Sequence, residues 1–270
     1  MRIYTRSGDL SFSTFTFPDG QPHFKLNTYE RDFQVATVEM AIKSPSDLFT
    51  LSLATDVLRQ HGYSEVNLDI RYLMGARMDR SIDSLQPDTL RVVARQINAM
   101  GFNQVRILDV HSEVAARLIR NSSNVLPLKI VQQVVTTLGG VVVVIPDKGA
   151  ITRVDSLVGG WMPRIYGSKE RDPQTGAITN FKVDVPHPFN EYTGFSALII
   201  DDICDGGGTF VGLAKELRKA GATKVSLFVT HGIFSKGLPL EGIDRVFTTD
   251  SFIDKSYFAT VLPISMKEMK

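Results

Sequence analysis

The chain has 270 residues, 43% of them hydrophobic and 22% charged, which is the balance of an ordinary globular protein with one large or two modest domains. A formal net charge of +1, with no block of like charges, argues against a nucleic-acid-binding surface, and no apolar run reaches the roughly 18 residues that span a bilayer. The first residues contain no signal-peptide core, and the single cysteine, Cys204, permits no internal disulfide, so a reducing, cytoplasmic setting is expected.

Residues 3–27 read as a few extended stretches that include Phe15, Phe17 and Phe24. Helical spacing follows over 46–61 and stops near Gly62, and a strand covers 66–73. A polar loop fills 74–88. A helix, a glycine and a strand then lead to His111, and helical pattern returns at 129–138. The run Val141-Val-Val-Val-Ile145 reads as a buried parallel strand. Residues 167–180 are polar, with Gly, Pro and Thr, and are expected to form a long mobile loop. A second helix–glycine–strand unit lies within 197–231.

The segments Ala94–His111 and Ala214–His231 align without gaps at an offset of 120 residues. Each reads helix, glycine stop (Gly101, Gly221), strand, His, and Thr89 and Thr209 also fall in register. Two copies of one unit, with strands and helices alternating, imply an α/β fold: two tandem domains, each a mainly parallel sheet flanked by helices. The boundary is expected at residue 138, giving domains 1–138 and 139–270.

The most informative stretch is Ala197-Leu-Ile-Ile-Asp-Asp-Ile-Cys-Asp-Gly-Gly-Gly-Thr-Phe210. An aliphatic strand runs into Asp201 and Asp202; Asp205 follows, then Gly206, Gly207, Gly208 and Thr209, and a helix starts at once. Three glycines let backbone amides curl around an anion, and the helix N-terminus adds partial positive charge. The carboxylates suit sugar hydroxyls or a metal ion, so the unit fits a phosphorylated sugar. No Lys follows the glycines, which excludes the Walker loop, and Val211 breaks the G-x-G-x-x-G fingerprint of dinucleotide sites. Cys204 reads as a small loop-filling residue, with no His beside it in sequence to activate it.

This stretch resembles the phosphoribosyl pyrophosphate (PRPP) loop of phosphoribosyltransferases and PRPP synthetases. The following Thr230-His-Gly-Ile-Phe-Ser235 is similar to the turn after that loop in ribose-phosphate pyrophosphokinases, a tail many phosphoribosyltransferases lack. Five further motifs occur in that family's order. Tyr72-Leu-Met-Gly-Ala-Arg-Met-Asp-Arg80 resembles Y-x-x-Y-A-R-Q-D-R, with Met78 in place of Gln. Asp109-Val-His-Ser112 resembles D-L-H-S, Pro146-Asp-Lys-Gly149 resembles P-D-x-G, and Lys169-Glu-Arg171 resembles the K-x-R of a catalytic flexible loop. Phe17-Pro-Asp-Gly-Gln21 resembles F-x-D-G-E, with Gln21 in place of Glu; read from the residues alone it is equally a β-turn beside a core Phe.

The resemblance implies a ribose-phosphate diphosphokinase that joins the pyrophosphoryl group of ATP to ribose 5-phosphate, with Mg²⁺ as cofactor. It implies ATP contacts at Phe17, Asp19, Gln21, Arg77, Asp79 and His111, and metal contacts at His111 and Asp147. It implies sugar-phosphate contacts at Asp201, Asp202, Asp205, Gly206, Gly207, Gly208 and Thr209, and a catalytic set of Lys169, Arg171 and His111. A homo-oligomer is implied, with Phe17 serving ATP held by a neighbouring subunit. The match departs from the family in a shorter segment before Phe17, in a stretch at 186–192 that looks inserted, and in a short C-terminal part. Two alternatives stay open at this point: a PRPP-consuming phosphoribosyltransferase, and a catalytically inactive regulatory relative.

Overall fold

The computed structural model describes residues 1–30, 34–80, 85–171, 178–185 and 194–269, with backbone alone at 170, 171, 178 and 179. The chain divides into two compact units: Met1–Val125 together with Ser265–Lys270, and Leu126–Ile264. The division therefore falls at 125/126 and not at 138, because helix 128–138 packs within the second unit. Contacts of the returning 265–269 segment with the first unit could not be read from local pattern.

The first unit is built on strands β1 (Arg2–Tyr4), β4 (Val35–Ile42), β5 (Glu65–Leu73), β6 (Val105–Leu108) and β7 (Ser122–Val125), in the order β1-β4-β5-β6-β7. Strand β1 runs antiparallel to β4, and the other pairings are parallel. Strands β2 (Phe12–Thr16) and β3 (Pro22–Leu26) form a separate antiparallel hairpin. Helices α1 (Pro45–Gln60), α2 (Thr89–Ala99) and α3 (Glu113–Leu118) connect the parallel strands. Helix α1 starts where Ser44 and Asp47 cap one another: Ser44 N donates to the Asp47 carboxylate at 2.8 Å, and Asp47 N donates to Ser44 Oγ at 3.3 Å. Its buried stripe is Leu48, Leu51, Ala54, Thr55 and Leu58.

One polar cluster crosses this sheet. Tyr4 donates its hydroxyl to Asp69 at 2.6 Å, and Arg106 grips the same carboxylate with two nitrogens at 2.8 and 2.6 Å. A third Arg106 nitrogen donates to the Met269 carbonyl at 2.7 Å, which ties the returning segment down. Asp69 is buried, and both its oxygens are satisfied, as a buried charge requires.

The second unit orders its strands β10-β9-β8-β11-β12-β13-β14. They are β8 (Val141–Ile145), β9 (Arg164–Arg171), β10 (Ile178–Asp184), β11 (Phe195–Cys204), β12 (Ala222–Gly232), β13 (Arg245–Thr249) and β14 (Ala259–Leu262). All pair in parallel except β10, which runs antiparallel to β9. Helices α4 (Leu128–Leu138), α5 (Ile151–Val158) and α6 (Gly208–Lys219) complete it. Every residue of β8 is buried, which explains its unbroken valine run. The segments 164–171 and 178–184 pair as strands, so most of the expected mobile loop is an antiparallel hairpin; residues 172–177 lie outside the described residues, as does the stretch 186–192.

Both copies of the sequence repeat fold as helix, left-handed glycine and strand: α2, Gly101 (φ 67°) and β6, then α6, Gly221 (φ 96°) and β12. Among the described residues no helix is long and apolar enough to cross a membrane.

Candidate functional site

The second unit's sheet reverses its order between β8 and β11, since the chain steps from β8 to β9 on one side and returns to β11 on the other. Carboxyl ends of parallel strands at such a reversal frame a crevice. Pairing of β11 with β8 ends at Ile199–Val144, while β11 continues alongside β12 through Cys204. Asp201 and Asp202 therefore stand on the stretch of strand that β8 no longer covers. The sequence pattern ends the strand at these acids; it runs on through Cys204, because pairing with β12 carries it five residues past Ile199.

Asp201 meets Arg153 of α5 at 2.6 Å. Burial, and then the neighbouring Asp202 carboxylate, raise the Asp201 carboxyl well above its ordinary range, and Arg153 pulls the other way. Asp202 is buried. Cys204 is buried as well, and burial, with Asp201 and Asp205 nearby, pushes its thiol up to about 12. A thiol held neutral in this way is no nucleophile, so Cys204 fills space.

After Cys204 the chain turns through Gly206 and Gly207 into α6. Gly207 has φ 75°, and a Cβ there would come within 2.5 Å of Leu240 Cδ2. Only glycine satisfies both conditions. No side chain caps α6, so its leading amides remain for an anion. Gly208 and Thr209 open the helix at this point. Ser235 donates to Asp205 at 2.5 Å and fixes the loop's acidic end.

Asp147 follows β8 at the same edge of the sheet. Its carboxylate accepts from Gly149 N at 2.9 Å and from Lys169 Nζ at 2.7 Å. Burial pushes the Asp147 carboxyl up, but the Lys169 ammonium and the amides of Gly149 and Ala150 outweigh it, and the net shift is downward. Lys169 is on β9, paired across the hairpin with Phe181 of β10. The sequence put Lys169 at the start of a loop; its polar neighbours Ser168 and Glu170 hid a strand that overhangs the end of β8. The Arg171 side chain lies outside the described residues. Phe181 packs on α6 at Gly212, where a Cβ would stand 2.2 Å from the ring, so the hairpin carrying Lys169 is docked on the helix that begins at the glycine loop.

Two residues near the site escaped the sequence reading. Arg153 sits on α5, whose 8 residues are too few for helical periodicity to stand out in the sequence. Lys236 lays its stem across Gly206, with Cδ and Cε each 3.3 Å from where a Cβ would stand. It follows Ser235 directly, and that adjacency was the available signal.

In the first unit, Arg77 and Asp79 lie in the turn after β5, and His111 lies just past β6. These are neighbouring parallel strands, so the three residues share one edge of that sheet. Arg77, Met78 and His111 are exposed. Asp109 takes φ 39° and is buried, and its strained turn carries His111 outward. His231, the counterpart in the second copy, is buried and bonded to Ser251 at 2.8 Å, a structural histidine. Phe17 is exposed at the tip of the β2–β3 hairpin, not in the core, and meets Phe15 edge-on at 4.8 Å. In that turn Asp19 accepts from Gln21 N at 3.0 Å.

The phosphoribosyl transferase domain model matches residues 114–263. The ribose-phosphate pyrophosphokinase of Thermococcus kodakarensis is 30% identical over 235 residues, 85% of this chain and 79% of that protein. The chain belongs to the ribose-phosphate pyrophosphokinase family. The relative from Pyrococcus furiosus is 29% identical over 82% of this chain and 77% of its own length, and that from Shewanella oneidensis is 27% identical over 100% and 83%. The crystal structure of phosphoribosylpyrophosphate synthetase from Mycobacterium smegmatis superposes with a TM-score of 0.77 at 20% identity, covering 94% of this chain and 86% of that one, which shows the shared fold. Family membership accounts for six motifs in one order along the chain, five of them at or beside the carboxyl ends of sheet strands and one, Phe17–Gln21, on the β2–β3 hairpin.

Among the described residues no three His, Cys, Asp or Glu side chains gather to hold a metal. Asp147 and Asp201 instead each hold a cation of the protein itself.

Proposed function

We propose that this chain transfers the pyrophosphoryl group of ATP to ribose 5-phosphate, giving PRPP and AMP. The observation that carries the reading is the run Asp205–Thr209: an anion-accepting helix start set directly after two strand-borne carboxylates. The amides from Gly206 to Thr209 receive the 5-phosphate. Asp201, Asp202 and Asp205 orient the ribose hydroxyls. The 1-hydroxyl oxygen bonds to the β-phosphorus in line as the bond to the α,β-bridging oxygen breaks. AMP leaves with that oxygen, and the hydroxyl proton is lost. Positioning and charge neutralisation supply most of such an acceleration.

Lys169 and Arg171 neutralise the transferring group. Arg77, Asp79 and His111 hold the ATP phosphates and ribose, and Phe17, Asp19 and Gln21 serve the adenine of ATP held by a neighbouring copy. The exposed Phe15–Phe17 pair supports that last assignment and a homo-oligomer with it. Mg²⁺ suits the hard oxygen donors of Asp147, with His111 beside the nucleotide, and it usually takes only one or two protein carboxylates with substrate phosphates and waters. When bound it draws charge from the phosphates. A cytoplasmic location fits the single reduced, buried cysteine.

The test is incubation with Mg²⁺, ATP and ribose 5-phosphate, following AMP and PRPP together. Equal formation of both is expected. PRPP binding without AMP formation would instead leave a PRPP-consuming phosphoribosyltransferase.

A further inference from the structure

We propose that Lys236 is a specificity-determining residue for the phosphate end of the sugar, held over the glycine loop by the turn after β12. The inference rests on the reading of that loop as the ribose 5-phosphate site.

The turn is fixed to the loop at several points. The Cys204 carbonyl, at the end of β11, accepts from Ile233 N at 2.8 Å and from Phe234 N at 3.1 Å. Ser235 then bonds Asp205 at 2.5 Å. Leu240, four residues beyond Lys236, lies against Gly207. Between these anchors the Lys236 stem rests on Gly206, with Cγ, Cδ and Cε all within 3.5 Å of the position a Cβ would take. A side chain at 206 would lift the stem away, so this glycine seats the lysine as well as turning the chain.

The Nζ atom is one bond beyond Cε, which puts the ammonium of this exposed residue within reach of an anion at the loop. Among the described residues Lys236 makes no ion pair or hydrogen bond, in contrast to Lys169 and Arg153, which are both held by carboxylates. A phosphate dianion held by neutral amides gains from a cation at this position. An unphosphorylated sugar gains nothing from it. Lys236 thereby separates ribose 5-phosphate from neutral pentoses without touching the reacting atoms.

The experiment compares wild type, Lys236→Met and Lys236→Arg in the full chain. Met keeps the apolar stem on Gly206 and removes the charge; Arg keeps the charge. Calorimetric titration uses ribose 5-phosphate and inorganic phosphate as probes, with kcat and melting temperature measured alongside. Lys236→Met is expected to bind both probes about tenfold more weakly, and Lys236→Arg within about threefold of wild type, as loss or retention of one charge-assisted contact predicts. The kcat at saturating sugar and the melting temperature are expected to stay at wild-type values. Equal affinity in Lys236→Met would overturn the role of Lys236 and leave the loop reading standing. Equal weakening in both variants would overturn the charge argument. Failure of wild type to bind ribose 5-phosphate would remove the loop reading and this inference together.

Discussion

Lys169 Nζ lies 2.7 Å from Asp147 Oδ2, joining the overhanging end of β9 to the turn after β8. The pair spans 22 residues of sequence and brings the proposed phosphate clamp to the proposed metal ligand. Replacing Lys169 by Ala is expected to lower kcat by roughly 100-fold or more, the scale of losing one charge-stabilising donor, while ribose 5-phosphate affinity holds within about twofold. Steady-state kinetics beside calorimetry would read both numbers. A parallel loss of affinity would count against a role confined to the transferring group.

Asp147→Asn keeps the shape and removes the charge that Lys169 and a divalent cation would share. The Mg²⁺ concentration needed for half-maximal activity is expected to rise at least about tenfold. Direct Mn²⁺ titration by electron paramagnetic resonance gives a readout independent of turnover. Unchanged Mn²⁺ binding would move the metal away from Asp147.

At Gly212 the geometry predicts a packing defect. A valine there would collide with the Phe181 ring and push the hairpin off α6. Overpacking of this kind costs about 1–3 kcal/mol, so Gly212→Val should lower the urea midpoint. It should also depress kcat, because Phe181 pairs with Lys169 across the hairpin. A stable variant with normal kcat would show that the docking of this hairpin is irrelevant to turnover.

Asp69→Ala would leave Arg106 without its carboxylate and Tyr4 without its acceptor. Removing one partner of a buried pair typically costs about 3–5 kcal/mol. Equilibrium unfolding in urea would measure the loss, and a double variant with Arg106→Met should recover part of it.

Cys204 should resist alkylation in the native protein at pH 8. Its thiol is pushed up to about 12, so at pH 8 it stays protonated, and it is buried. Iodoacetamide labelling followed by mass spectrometry should succeed only after unfolding. Rapid native labelling would contradict the space-filling role.

The glycine loop and the unbroken valine strand were legible because each is a local matter, and the repeat because each copy is a local pattern that matches the other at an offset of 120 residues. A glycine with positive φ, a helical stripe and a buried strand show in a window of a dozen residues. Arg153 and Asp201 are 48 residues apart, and nothing local in either names the other. Strand β9 was hidden for a related reason: Arg164-Ile-Tyr-Gly-Ser-Lys-Glu-Arg171 is polar where it runs past the end of β8, and polarity reads as loop. The return of 265–269 to the first unit escaped because Arg106 holds the Met269 carbonyl from 163 residues away.

That Arg106–Met269 bond has a consequence for how the chain can be taken apart. Because 265–269 belongs with residues 1–125, residues 126–264 are an uninterrupted insertion, whereas the unit around them is discontinuous. Excising 126–264 as a fragment removes no strand from its sheet. A truncation after 125 would discard the backbone acceptor of Arg106, so a recombinant first unit needs residues 265–269 grafted back through a linker.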